Sequence, residues 1–307
     1  MRILSLYLIV LLGALSPACA QTTASSETQA PAAGAPQESA AEQTPPPMKP
    51  APKLSDDEMQ VFLQTAKIES MKTLDTGTTG TSRAVLFDGK LRHDAHIQCL
   101  DVFRPVWKGA EGTIEKNFRD SWKFNVAAYR LAKLLAINGV PMSVERTVDG
   151  KQCSVTWWVD NVWLVEAERR DKGIKPPATD YWVNQLNTVR VFDQLIANAD
   201  RNQGNLLITP EWTVWMIDHT RAFRAMRTLP KPDTLKRIDI KLLQAVKDLN
   251  TVSLKQTVGP YLRTEEISAL LARRDALVKF FETQVRQKGE AAVLTGLPRS
   301  TPNVSIP

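Results

Sequence analysis

Residues 198–223 read NADRNQGNLLITPEWTVWMIDHTRAF, and the reading of this stretch decides the fold. Two apolar runs, LLI and TVWMI, flank a Pro-containing turn and predict a pair of short strands. Acids and amides crowd both ends of the pair: Asp200 and Asn205 precede it at a spacing of five, and Asp218 follows it. A loop Asp and a post-hairpin Asp can face one cleft from two backbone segments, and hard oxygen ligands that converge in this way suit Mg²⁺. Taken singly, each of the three also has a plainer reading, as a loop side chain that caps backbone amides or a turn.

Asp200, Arg201 and Asn205 reproduce the D-x-x-x-x-N spacing of a kinase catalytic loop, and Asp218 leaves the second strand as DHT where a kinase has Asp-Phe-Gly. FDQLIANADRNQGNLLI followed by MIDHTRAF resembles the atypical kinase group that includes HipA, the secretory-pathway Golgi kinases and the lipid kinases. The resemblance covers most of residues 75–280. It implies an α+β, two-lobed protein-kinase-like fold, with a small β-rich N-lobe and a larger helical C-lobe. It also implies ATP or another nucleotide, Mg²⁺ or Mn²⁺, and a hydroxyl-bearing acceptor on a protein, lipid or small molecule. By resemblance Asp200 is the catalytic base with Arg201 beside it, and Asn205 and Asp218 are the metal ligands. Gly77, Thr79 and Gly80 then belong to the turn that covers the phosphates.

The chain departs from that pattern where the nucleotide phosphates are held. Kinases pair a strand Lys with a Glu on the following helix. Here the strand DAHIQCLD puts Gln98 at the Lys position, and the helix SWKFNVAAYRLAKLLAI has no acid, with Asn125 as the best match for the Glu. Losing both partners together leaves two amides that can hydrogen-bond neutrally, whereas losing the Lys alone would strand a buried carboxylate. Arg83 near the glycine turn, Lys108 or Lys123 could replace the missing positive charge. The alternative is a pseudokinase, a nucleotide-binding scaffold without turnover. A rival metal site would use His93, His96 and His219 with Asp94 or Asp218. Residues 93 and 96 point to opposite faces of a strand, however, so one ion reaches both only if the strand is bulged. Trp157, Trp158 and Trp163 read as packing residues.

The 307 residues, 43% hydrophobic and 23% charged, fit a globular chain once its start is set aside. Residues 1–20 carry Arg2, a short apolar run and small residues at Ala18 and Ala20, the pattern of a secretory signal, with a lipoprotein signal at Cys19 as the variant that would bring the chain to a membrane. The expectation is therefore an exported protein, periplasmic or extracellular. Residues 21–53 are rich in Pro, Ala, Gln, Ser and Thr and predict a disordered tether. Cys99 and Cys153 are left, either paired or buried as thiols, and thiols are the favoured reading. The formal charge of +6 is scattered rather than gathered in one run, so nucleic acid binding is not indicated.

Ser55 and Glu58 form a capping box for an amphipathic helix expected to reach almost to Gly77, with Met59, Phe62, Leu63, Ala66 and Ile68 on its inner face. Asp88-Gly89 predicts a hairpin. A helix through Phe124, Ala127, Ala128, Leu131, Leu134 and Leu135 stops at Asn138-Gly139. Another carries Val183, Leu186, Val189, Val191, Leu195 and Ile196 inward, and two or three more fill 235–290. The N-lobe is placed at 54–165, the C-lobe at 166–290 and a flexible tail at 291–307.

Overall fold

A computed structural model describes residues 44–74, 80–109, 114–198 and 201–296. Helix α1 (Asp56–Thr65) opens on Ser55, whose hydroxyl accepts the Glu58 amide while the Glu58 carboxylate takes the Ser55 N–H. The helix is shorter than expected. At Ala66 the backbone turns extended and continues as strand β1 (Lys67–Thr73), so Ile68 lies in a strand. From Lys67 to Thr73 only Ile68 and Met71 are apolar, which leaves a helix little apolar face to bury, while pairing with β2 (Ser82–Phe87) satisfies the backbone.

The hairpin of β2 and β3 (Arg92–Gln98) turns at Asp88-Gly89 as the sequence predicts. The Asp88 carboxylate accepts the Lys90 and Leu91 amides at 2.8 and 2.7 Å, and Gly89 supplies a φ of 98°. A two-stranded ribbon follows, β4 (Asp101–Lys108) with β5 (Ile114–Ser121), which the sequence reading did not resolve. After helix α2 (Lys123–Leu134), β6 (Ser143–Val148) and β7 (Lys151–Trp157) complete an antiparallel sheet in the order β1-β2-β3-β7-β6. Phe62 and Leu63 of α1 pack with Leu86, Ile97, Val144 and Val155 as its core. Cys99 and Cys153 are not the favoured pair of thiols but a disulfide, with Cα atoms 4.1 Å apart. Register explains it: Gln98 lies opposite Ser154, so the next rung brings the two Cys together.

The second lobe begins with β8 (Leu164–Val165), α3 (Glu166–Asp171) and α4 (Asp180–Leu195). Strands β9 (Leu206–Ile208) and β10 (Val214–Met216) form the expected short hairpin, with β8 on its other edge. Then come β11 (Ile238–Asp239), α5 (Ile240–Asp248), α6 (Thr251–Val258), α7 (Thr264–Lys288), α8 (Glu290–Val293) and β12 (Leu294–Thr295). The α+β, two-lobed expectation is met. Helix α2, although assigned to the N-lobe, buries Phe124, Ala127, Ala128 and Leu131 in the same cluster as Phe192, Leu195, Phe223 and Leu254 of the helical lobe. Leu134 and Val183, expected to be inward, are 41% and 46% exposed, because each falls one step off its helix's buried stripe. The turn after α2 docks on β10: the Gly139 carbonyl accepts the Met216 amide at 2.6 Å, and a side chain at Gly139 would meet the Val214 carbonyl.

Two borders differ from the expectation. Lys49, in the segment expected as tether, exchanges backbone hydrogen bonds of 2.9 and 2.8 Å with the Asn161 side chain. The folded part runs past residue 290, since β12 pairs in parallel with β11.

Candidate nucleotide and metal site

The register of β9 and β10 fixes the site. Leu206 pairs with Met216, and on the next rung the Ile217 amide donates to the Asn205 carbonyl at 3.1 Å. Asn205 and Asp218 therefore emerge beside one another from the open end of one hairpin. Asp218 sits in the left-handed region at φ 55°, a conformation Asp tolerates better than most residues, and its carboxylate accepts the Thr220 hydroxyl at 3.2 Å.

Arg201 fastens this assembly from behind. Its guanidinium reaches the Asp193 carboxylate of α4 at 3.1 Å, the carbonyls of Asn205 and Ile217 at 3.2 and 2.5 Å, and the His219 ring at 3.0 Å. Burial raises the Asp193 carboxyl above its ordinary range, and Arg201 and the Asn198 amide pull it back. Arg201 cannot accept, so His219 takes its bond on Nε2 and carries its own proton on Nδ1. Burial, and then the Arg201 charge, hold His219 well below the usual His range and hence neutral. Arg201, expected beside the catalytic base, thus spends its donors on the scaffold. Asp193 escaped the sequence reading, and its signal was an acid set among the apolar Val191, Phe192 and Leu195 at the end of α4.

Asn125 joins the lobes. Its side-chain oxygen accepts the backbone amide of His219 at 3.0 Å, and its amide nitrogen donates to Ser154 at 3.3 Å. Ser154 in turn donates to the Gln98 carbonyl at 3.5 Å. Gln98 accepts the Leu100 amide on Oε1, while its Nε2 is buried with no partner among the described residues. The two amides are therefore linked through Ser154 and the backbone, and not side chain to side chain. The bond from Asn125 fixes the residue after Asp218 from α2.

The remaining candidates divide between cleft and surface. Arg83 is paired with Asp94 and lies 4.3 Å over the Trp158 ring, and Lys123 is held by Asp101 at 2.9 Å. Neither charge is free. His96 faces Asp218: burial lowers its pKa and the Asp218 carboxylate raises it. His93 points the other way, stacked 3.6 Å from Trp157 and bonded to Asp160 at 3.0 Å. Among the described residues no three His, Cys, Asp or Glu side chains gather around one metal position. Gly80 has φ 61° and open space around it. Asp200, Gly77 and Thr79 lie outside the described residues.

An antiparallel sheet, a helix whose Asn125 side chain reaches the backbone beside Asp218, and a hairpin ending in Asp make up a two-lobed kinase-like fold. The solved structures it is similar to agree on that fold. The hydra Fam20 structure with sugar matches at TM-score 0.59 and 16% identity, covering 78% of this chain and 93% of that one. The Golgi casein kinase matches at TM-score 0.52 and 14% identity, over 78% of this chain and 80% of that one. Protein Rv2133c of Mycobacterium tuberculosis is 27% identical over 208 residues, 57% of this chain and 72% of its own length. No family model matches the chain.

Proposed function

We propose that this chain is an exported phosphotransferase that moves a phosphoryl group from a nucleotide such as ATP to a hydroxyl on a protein, lipid or small molecule. The observation that carries this reading is the rung between Ile217 and Asn205, which brings the backbone of Asn205 beside the segment that carries Asp218, with Arg201 bonded to the carbonyls of Asn205 and Ile217. The Asn205 and Asp218 side chains present the hard oxygens that Mg²⁺ or Mn²⁺ takes, and an ion held by them would supply positive charge against the phosphates. Asp200, next in sequence to the anchored Arg201, accepts the proton as the acceptor oxygen bonds to phosphorus and the bond to the leaving phosphate oxygen breaks. The buried, unpartnered Nε2 of Gln98 is the donor we assign to a phosphate oxygen, in the place where kinases keep Lys. Export is supported by the signal-like start and by the disulfide, which persists in oxidising compartments.

The test uses residues 43–307, one compact unit that holds every described residue. It is incubated with Mn²⁺ or Mg²⁺ and γ-labelled ATP or GTP, alone and with candidate acceptors, beside Asp200→Ala and Asp218→Ala. Label transfer and a nucleotide-induced thermal shift are expected, with transfer lost in both variants. Absence of both in the wild-type chain overturns the reading. A pseudokinase is the second reading, favoured by a specific observation: no cation stands at the strand position, and Arg83 is already paired. A thermal shift without transfer, abolished in Asp218→Ala, would decide for it.

A further inference from the structure

The β4–β5 ribbon divides its charges in a way the site does not use. Each described acid on it is paired with a cation of the body: Asp101 with Lys123 at 2.9 Å, Glu115 with Arg224 at 3.2 Å and Asp120 with Arg221 at 2.7 Å. Its Arg119 is likewise taken up, against Glu266 of α7 at 2.7 Å. Arg104, Lys108 and Lys116 remain, all exposed and none with an ion pair or hydrogen bond to a described residue. Bulky apolar side chains stand among them. Val106 is 54% and Ile114 62% exposed, and the register interleaves the two kinds: Val106 opposite Lys116, Lys108 opposite Ile114. Among the described residues no third strand covers either edge.

We infer that this ribbon is a docking face for an anionic membrane surface. A lipid interface accepts both chemistries at once, since lysine and arginine ammonium and guanidinium groups remain with the phosphate headgroups while branched apolar side chains enter the acyl boundary. An acidic protein would match the charges, yet it would also need a pocket for Val106 and Ile114. The contact is interfacial, because among the described residues no helix is long and apolar enough to cross a membrane. The base of the ribbon joins the site: the Ser121 amide donates to the Thr220 carbonyl at 2.9 Å, two residues past Asp218. Docking therefore holds the cleft at the membrane surface. The inference is independent of the transfer reaction, and its test uses no nucleotide.

Residues 43–307 are sedimented with vesicles of phosphatidylcholine alone and of phosphatidylcholine mixed with phosphatidylglycerol. Binding is expected only to the mixed vesicles and is weakened by salt. In the triple variant Arg104→Glu, Lys108→Glu, Lys116→Glu the partition coefficient falls by at least about a hundredfold. Val106→Ser with Ile114→Ser lowers it by roughly tenfold or more. All five side chains are exposed, and unchanged thermal melting shows that each variant is folded. No binding to the mixed vesicles, or equal binding by wild type and the triple variant, overturns the inference. So does binding to an acidic polypeptide such as polyglutamate in the absence of binding to vesicles, which would make the ribbon a protein-docking face.

Discussion

His219 shows how a single residue sets a pH window. It is neutral in the fold, and protonating it would set a cation 3.0 Å from the Arg201 guanidinium. The unfolded chain takes a proton near the ordinary His value of about 6.5 that the folded chain refuses, so the stability from this residue is complete above that pH and is lost as pH falls below it. The slope approaches about 1.4 kcal/mol per pH unit for one group. Urea midpoints followed from about pH 7.5 down to about pH 5 should show it. His219→Gln keeps an acceptor and cannot titrate, so it should flatten the slope, leaving the share from His96, which burial also lowers, and the opposite share from Asp193, which burial raises. An unchanged slope would exclude His219 as the source. Asn125→Leu makes a different prediction: the His219 amide and the Ser154 hydroxyl both lose a partner, for about 1–3 kcal/mol of stability by urea titration. Asp218 and Asn205 were legible from local spacing alone. The bond from Asn125 was not, because it spans 94 positions and its donor is a backbone amide, which no side-chain pattern announces.

At the scale of elements, the sequence was clear where an element buries a regular stripe and ambiguous where it does not. The β9–β10 hairpin and α2 follow their apolar periods. The segment after Ala66 and the β4–β5 ribbon do not, since β1 is an exposed edge and β4 carries Pro105 with most of its side chains in solvent. Such strands are held by their base and their neighbours rather than by a core. For the ribbon that hold is the buried pair of Arg119 and Glu266, each less than a tenth exposed, with the Arg119 guanidinium 4.6 Å over Phe124. Glu266 also accepts the Arg263 amide at the start of α7 at 2.7 Å. Glu266→Ala should therefore cost about 3–5 kcal/mol, because it strands a buried guanidinium and uncaps a helix. Glu266→Gln, which keeps a hydrogen-bond acceptor, should cost less. Chemical denaturation compares the two, and equal costs would mean that the charge of Glu266 carries the whole contribution and a neutral acceptor none of it.

The molecule as a whole has two cores, tied together through α2. The sheet packs around α1, and the helical lobe packs around α2, α4 and α7. Helix α2 belongs to the second core, yet it reaches the first through Tyr129, which packs against both cores, through the Lys133–Asp56 pair with α1 and through the bond from Asn125 to Ser154, and this last bond resists relative movement of the sheet and the helical lobe close to the site. The smaller core is where the disulfide lies, joining two strands whose rungs carry Gln98 and Ser154. The bridge closes a span of 54 residues that includes the ribbon, α2 and β6, so its constraint on the unfolded chain is large, and its removal should cost about 2–4 kcal/mol. A thiol reductant should lower the unfolding free energy of the wild-type chain, read from urea titration, by that amount and leave Cys99→Ser/Cys153→Ser unchanged. Hydrogen exchange places the effect. Protection should fall in β3 and β7 and persist in α4 and α7, because the core of the helical lobe has no covalent link to lose. Equal loss across both lobes would show that the two cores unfold as one unit, coupled through α2.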